Sequence, residues 1–214
     1  MSAINEIGAP DARPARPTRP ARRARPLPPE QRRAALVAAT LPLLREHGLE
    51  VSTRQIADAA GVAEGTIFRA FPRKECLCAA AIESALDPAP VVAQLHDVDP
   101  ELPLDATIVA IVDITRTWLR SVITLMMALH RSPGFRTRHP RQFMASPDDI
   151  EAVVIKLLEA HRNELRLTPR EVARLLRMLV FSSSHPALPE DGPMPTKFIV
   201  DVVLNGARCR GEGE

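Results

Sequence analysis

The sequence predicts an all-α protein, with an N-terminal three-helix helix-turn-helix domain followed by a helical ligand-binding and dimerisation domain. Hydrophobic residues make up 45% of the 214 residues, yet aromatic residues make up 3% and Tyr does not occur. That composition favours Leu-, Ile-, Val- and Ala-rich helices over a β-sandwich. Apolar residues recur at helical spacing in several stretches, and no stretch shows the alternation of a strand.

The first 28 residues predict a disordered arm. They contain a run of Arg, Pro and Ala from Ala12 to Pro26, and repeated proline prevents a helix while polarity prevents a core. Residues 1–33 hold eight Arg against three acidic residues, a net charge of +5, whereas the whole chain carries +2. A basic arm on a mildly acidic body indicates a polyanionic partner such as nucleic acid, although a solvated tail without contacts remains an alternative.

The first helix is predicted to begin at Pro28 and Pro29, which suit a first helical turn, and to end at His47 before Gly48. Its apolar stripe consists of Ala35, Leu36, Ala39, Leu43 and Leu44.

A helix-turn-helix is predicted between Val51 and Phe71. Ser52 or Thr53 caps a short helix, and Gly61 supplies the left-handed residue of the turn. The predicted inward side chains are Ile56, Ala57, Ala60, Val62, Ile67 and Ala70 or Phe71. The remaining residues of the second helix face outward, where they can enter a major groove. A generic helical hairpin is the alternative.

Proline and capping signals divide the rest of the chain. The stretch Pro88–Pro103 is predicted to be a loop, followed by a long apolar helix over Leu104–His130. Ser146-Pro147-Asp148 starts a helix that should reach about Leu165. Thr168 and Glu171 stand in capping-box register before a helix through Ser183, and a last helix should cover Thr196 to about Arg208. The predicted domains are therefore 1–28 (arm), 29–75 (helix-turn-helix) and 76–210 (regulatory and dimerisation).

The sequence does not predict an enzyme, a cofactor or a metal site. Its six His are scattered, and nucleophile–base motifs, metal-ligand spacings and phosphate loops do not occur. Apolar runs are shorter than the roughly 20 residues that cross a bilayer. The N-terminus has no apolar signal region, so we expect a cytoplasmic protein.

Residues 30–86 resemble the N-terminal domain of TetR-type (tetracycline-repressor-like) regulators. The shared residues are Gly48, then Thr53, Ile56, Ala57, Ala60, Gly61 and Val62, then Gly65-Thr66-Ile67-Phe68, and finally Phe71-Pro72-x-Lys74-Glu75-x-Leu77. The rest of the chain fits the family in outline only, including the ending Val202-Val203-Leu204-Asn205-Gly206.

The resemblance implies operator binding by a homodimer, with repression as the usual mode. Its DNA-contacting positions are Thr53, Arg54, Ala63, Glu64, Gly65, Thr66, Phe68, Arg69 and Lys74. Among these, Thr53, Arg54 and Lys74 would approach phosphates, and Glu64, Gly65, Thr66 and Arg69 would face bases or sugars. Arg69 is the candidate for guanine readout, since a guanidinium pairs bidentately with guanine; a phosphate contact is its alternative.

Three residues depart from the family. Ala63, Phe68 and Ala70 stand where Ser, Tyr and His are common, and each lacks a group that could bond the DNA backbone. Two alternatives therefore stay open: an interaction protein with a weakened DNA-reading domain, or a non-specific binder driven by the Arg-rich arm.

In the second domain, helices 168–184 and 196–208 carry apolar stripes broad enough to pack on both their own domain and a partner subunit. A pocket for a small apolar effector is predicted near the long helix, because Met and aromatic residues suit such pockets. Its candidate residues are Trp118, Ile123, Met126, Met127, His130, Phe143 and Met178.

Overall fold

A computed structural model describes residues 28–132, 148–185 and 194–207. Within these ranges the chain forms α-helices and short turns and no strand, so the all-α prediction is confirmed. The predicted arm, except Pro28, and the pocket candidate Phe143 lie outside the described residues. The helices are α1 (Pro29–His47), α2 (Thr53–Ala60), α3 (Glu64–Ala70), α4 (Lys74–Leu86), α5 (Ala89–His96), α6 (Leu104–His130), α7 (Asp148–Glu159), α8 (Pro169–Ser184) and α9 (Thr196–Ala207).

The predicted bounds of α1 and the predicted capped start of α2 agree with the structure. Helix α1 ends at His47, and the capping residue Gly48 has a φ of 58°. Ser52 caps α2 and forms a reciprocal capping box with Gln55. The buried residues of α1 are Leu36, Thr40 and Leu44, whereas Ala35 is exposed, so the predicted stripe was wrong at that position.

Two other predictions need correction. The stretch after Pro88 is not all loop, because α5 forms there and buries Val91 and Leu95, four residues apart on one face. Pro90 lies in its first turn, where a backbone N–H would have no acceptor within the helix, so proline costs no helical hydrogen bond there. The helix predicted to reach Leu165 ends at Glu159 instead, and a 3₁₀ turn follows at Arg162–Glu164. The capping box of Thr168 and Glu171 at α8 is confirmed.

The buried side chains form two hydrophobic clusters, and α6 contributes to both. One cluster joins α1 to α4 and includes Leu125 and Leu129 from the end of α6. The other joins α5 to α9 and includes Leu104, Ile108 and Ile111 from the start of α6. The long helix therefore connects the helix-turn-helix mechanically to the rest of the protein. The domain limits given above stay a prediction.

One stretch, Lys74–His96, is long and apolar enough by composition to cross a membrane. It consists of two helices, because α4 ends at Leu86 and α5 begins at Ala89. Each helix buries apolar residues in one of the two clusters, so the hydropathy of this stretch is explained by core packing.

Candidate nucleic-acid interface

Helices α2 and α3 form a helix-turn-helix whose inner side is closed by packing. Gly61 is left-handed, with φ 65° and ψ 33°, and the N–H of Val62 donates to the carbonyl of Ala57 at 3.0 Å. Ile56, Ala57, Ile67 and Phe71 are buried, as the spacing predicts, and Val62 is half-buried against them. This packing fixes the side of α3 that faces away from the core.

The outward side of α3, here called the reading face, consists of Glu64, Gly65, Phe68 and Arg69. All four residues are exposed, and Phe68 keeps 51% of its surface accessible. Ala63, the residue before the helix, is also exposed, whereas Thr66 is half-buried. The helix thus presents one acid, one base and one large apolar side chain together, a mixture suited to base edges and thymine methyl groups.

A hydrogen bond joins the starts of the two helices. The hydroxyl of Thr53, the first residue of α2, donates to the Glu64 carboxylate, the first residue of α3. Acids are favourable at a helix N-terminus because of the helix dipole. Thr53 and Glu64 thus hold each other in place, while Arg54 beside them is exposed.

Lys74 has an internal function that the sequence did not reveal. Its Nζ donates to the carbonyl oxygens of Leu49 and Val51, at 3.1 and 2.9 Å, and the side chain is half-buried. It therefore anchors the segment that leads from α1 into α2. The phosphate contact predicted for Lys74 stays a prediction, and the neighbouring Arg73 is an exposed base at the same end of α4.

Arg33 is a second residue that sequence reasoning missed. Its Nη1 donates to the carbonyl of Ala70 at the end of α3. Its guanidinium carbon also lies 4.1 Å from the centre of the Phe71 ring. A cation at a helix C-terminus opposes the negative end of the dipole. Arg33 therefore fixes the end of α3 opposite to the Thr53–Glu64 bond.

The helix-turn-helix is tied to the end of α6 by close backbone contact. The N–H of Leu49 donates to the Ser132 hydroxyl at 2.8 Å. A methyl group added at Gly48 would lie 2.2 Å from that hydroxyl oxygen and 3.0 Å from the carbonyl of Ala128. Further along, Arg45 donates to Ser121 at 2.6 Å. A shift of α6 would therefore be transmitted to the segment that Lys74 also holds.

The pocket candidates among the described residues lie in different surroundings. Trp118 and Ile123 pack inside the protein, but Met126 belongs to the helix-turn-helix cluster and His130 is exposed. Met127 is also exposed, and Met178 keeps 61% of its surface accessible in the single chain, whereas the pocket assignment stays a prediction. An open cleft of about 390 Å³ lies between the end of α1 and the end of α6, lined by Glu46, Glu50, Arg131 and neighbouring residues.

Helices α8 and α9 leave a row of large apolar side chains uncovered, here called the apolar face. Both helices bury their other sides, for example through Val172 and Val203. Phe181 and Phe198 are 50% and 51% accessible. The apolar face consists of Leu175, Met178, Phe181, Phe198 and Val202.

Residues 36–81 match the family described as bacterial regulatory proteins, tetR family. This segment runs from within α1 to within α4 and contains the whole helix-turn-helix. No curated protein sequence matches the chain.

Solved structures with a similar fold include two bacterial regulators. The TetR transcriptional regulator SCO0520 from Streptomyces coelicolor is 23% identical, with a TM-score of 0.57 over 84% of this chain and 99% of that one. SmeT, the repressor of the Stenotrophomonas maltophilia multidrug efflux pump SmeDEF, is 21% identical, with a TM-score of 0.54 over 84% of this chain and 91% of SmeT. A complex of SmeT with triclosan is similar, with 19% identity and a TM-score of 0.55 over 85% of this chain and 93% of that one.

Proposed function

We propose that the chain, whose residues 36–81 match the tetR family of bacterial regulatory proteins, is a ligand-responsive repressor that binds a palindromic operator as a homodimer. The observation that carries the proposal is the reading face. A short helix, closed on its inner side and held at both ends by hydrogen bonds, projects Glu64, Phe68 and Arg69 into solvent. Arg54 and Arg73 flank it as exposed bases for phosphates.

The apolar face supports the homodimer. Five large apolar side chains on two adjacent helices are exposed in the single chain, and such patches mark interaction surfaces. Two copies related by a two-fold axis would pack α8 and α9 into a four-helix interface. The two reading faces would then follow the same symmetry, which requires an operator with two inverted half-sites.

Arg116 on α6 supports a ligand in the regulatory half. Its Nη1 donates to Thr196 at 3.2 Å, but its Nε and Nη2 are buried without an acceptor among the described residues. Burial lowers the pKa of this guanidinium, although Asp113 opposes the shift. Unpaired buried donors are costly, and an effector with an acidic group would satisfy them. That SmeT has been solved with triclosan is consistent with a small-molecule effector for this fold.

The test is selection of DNA from a randomised duplex library by the purified full-length protein. We expect one inverted-repeat motif, and the same motif from a variant that lacks residues 1–28, with lower affinity if the arm neutralises phosphates. An Arg69→Met variant should bind the motif more weakly and lose discrimination at one base pair of each half-site. This variant separates specific from non-specific binding.

The absence of any enriched motif would refute the proposed function as a sequence-specific repressor. Ala63, Phe68 and Ala70 then favour an interaction protein with a weakened DNA-reading domain, and the Arg-rich arm favours a non-specific binder. Salt distinguishes these two alternatives, because non-specific phosphate binding weakens steeply as the salt concentration rises.

A further inference from the structure

We propose that Phe68 reads the 5-methyl group of a thymine in each half-site, and that this contact is a main source of sequence preference. The inference rests on the proposed function, because it requires the reading face to enter a major groove. Phe68 is 51% accessible and lies on the outward side of α3.

The position of Phe68 on the helix supports a contact at the floor of the groove. Successive residues of an α-helix are about 100° apart. Positions 64, 68, 65 and 69 therefore follow one another around one side of α3, with Phe68 and Gly65 in the middle and the charged residues at the edges. The buried Ile67 lies on the opposite side. A helix that docks with this side inward brings Phe68 closest to the bases.

Gly65 leaves room for a base beside the ring. A methyl group added at Gly65 would meet nothing within 4 Å, and the residue is an ordinary helical one without a positive φ. Packing inside the protein therefore does not require glycine here. The open space next to Phe68 is available to the edge of a base pair.

The chemistry of phenylalanine selects the target. The side chain has no hydrogen-bonding group, so it cannot replace the water that it would displace from the polar edges of guanine, cytosine or adenine. The apolar group on the major-groove floor is the methyl group of thymine. Covering that methyl group with an exposed phenyl ring buries apolar surface on both sides.

The experiment begins with the motif recovered by DNA selection. Each thymine of the half-site is replaced in both halves by deoxyuridine, which lacks the methyl group but pairs in the same way. Dissociation constants are measured at one salt concentration for the full-length protein and three variants: Phe68→Ala, Phe68→Leu and Arg69→Met. Thermal unfolding of each variant checks that the fold is intact, which we expect because both side chains are exposed.

We expect one symmetric pair of thymines at which loss of the methyl group weakens binding about four-fold per half-site. Phe68→Ala should bind the thymine operator more weakly and no longer distinguish thymine from deoxyuridine there. Phe68→Leu should retain part of the discrimination between thymine and deoxyuridine. Arg69→Met should bind weakly but retain that discrimination in full.

Two results would overturn the proposal. One is a motif in which no thymine is sensitive to its methyl group, which would place the ring against backbone sugars instead. The other is a methyl sensitivity that persists unchanged in Phe68→Ala. Failure to recover any motif would refute the proposed function together with this inference, whereas either of the two results above leaves the operator-binding function standing.

Discussion

At the scale of single residues, the helix-turn-helix depends on side chains that do not belong to its two helices. Arg33 from α1 and Lys74 from α4 donate hydrogen bonds to carbonyls at the end of α3 and before α2. The last carbonyls of a helix have no N–H donor within that helix, so a cationic side chain that donates to them is stabilising. The orientation of the reading face is therefore set by residues far apart in the sequence.

Substitution of Lys74 separates its internal function from a phosphate contact. Lys74→Met should lower the free energy of unfolding by about 2 kcal/mol, because two charge-assisted hydrogen bonds are lost. Arg73→Met, the matched control, should leave the free energy of unfolding within about 0.5 kcal/mol of the wild type. It should reduce the slope of the logarithm of operator affinity against the logarithm of salt concentration by about 1. Denaturant unfolding and salt titrations measure both. An unchanged stability in Lys74→Met would contradict the anchoring function.

Gly48 and Gly61 both have positive φ, yet they should respond differently to alanine. At Gly61, in the left-handed helical region, alanine strains the backbone by about 1–2 kcal/mol, and at Gly48 (φ 58°, ψ −143°), in a region that essentially only glycine adopts, by about 1–3 kcal/mol. At Gly48 the new methyl group would also lie 2.2 Å from the Ser132 hydroxyl oxygen, whereas at Gly61 it would meet nothing within 4 Å. We therefore expect Gly48→Ala to lower the melting temperature clearly more than Gly61→Ala does. Equal losses would show that the contact between Gly48 and α6 is not tight.

At the scale of secondary structure elements, helix ends decide where each functional surface lies. The capping boxes at Ser52 and Thr168 fix the starts of α2 and α8. Helix α3 has no side-chain cap at Ala63 and uses the Thr53–Glu64 bond to α2 instead. This seven-residue helix is too short to be stable alone, so its position is determined by the packing of Ile67 and Phe71.

The stability and the DNA affinity of α3 should change in opposite directions in Gly65→Ala. Alanine is the better helix former by up to about 1 kcal/mol, and the added methyl group meets open space. The same methyl group would stand in the middle of the reading face, where a base pair must approach. We expect a higher melting temperature and an operator affinity at least several-fold lower. If both increase, DNA does not approach Gly65 closely.

The capping box of α8 predicts a pH dependence. Hydrogen bonds from the backbone N–H and the hydroxyl of Thr168 hold the pKa of Glu171 below its ordinary value. The carboxylate therefore stabilises the fold at pH values above the ordinary Glu pKa of about 4.3, and this contribution is lost as the pH falls through the lowered pKa.

Melting temperatures of the wild type and Glu171→Gln, measured from pH 7 downward, test this dependence. The difference between the two should be largest at neutral pH and should disappear in acid. Thr168→Ala removes the partner and should also lower the melting temperature at pH 7, because the helix cap is lost. A difference that does not change with pH would refute the role of the charged carboxylate.

At the scale of the whole molecule, the long helix α6 links two packed clusters with different exposed surfaces. Its start packs with α5 to α9, and its end packs with α1 to α4 and holds the backbone at Leu49. The reading face lies at one end of this arrangement, and the apolar face lies on α8 and α9. A shift among α5 to α9 therefore has a packed route to the helix-turn-helix.

Charges placed on the apolar face should separate the proposed dimer. Met178→Glu or Phe181→Glu would bring like charges close to the two-fold axis and bury them, which costs several kcal/mol. Sedimentation equilibrium should show a dimer for the wild type and a dissociation constant at least about 100-fold higher for either variant. Phe68→Glu, an equally exposed phenylalanine on α3, is the control and should keep the dimer mass. A monomeric wild type would contradict the proposed assembly.

The sequence by itself determined the all-α class, most helix boundaries and the helix-turn-helix, because these follow from local spacing, capping residues and Gly61. It failed at the stretch after Pro88, where proline in a first turn did not prevent α5, and it did not reveal that Met178 is exposed on α8 in the single chain. Tertiary structure alone decided the partners of Arg33, Lys74 and Ser132. Their contacts join residues 23 to 83 positions apart, and no local pattern specifies which carbonyl or N–H a long side chain will meet.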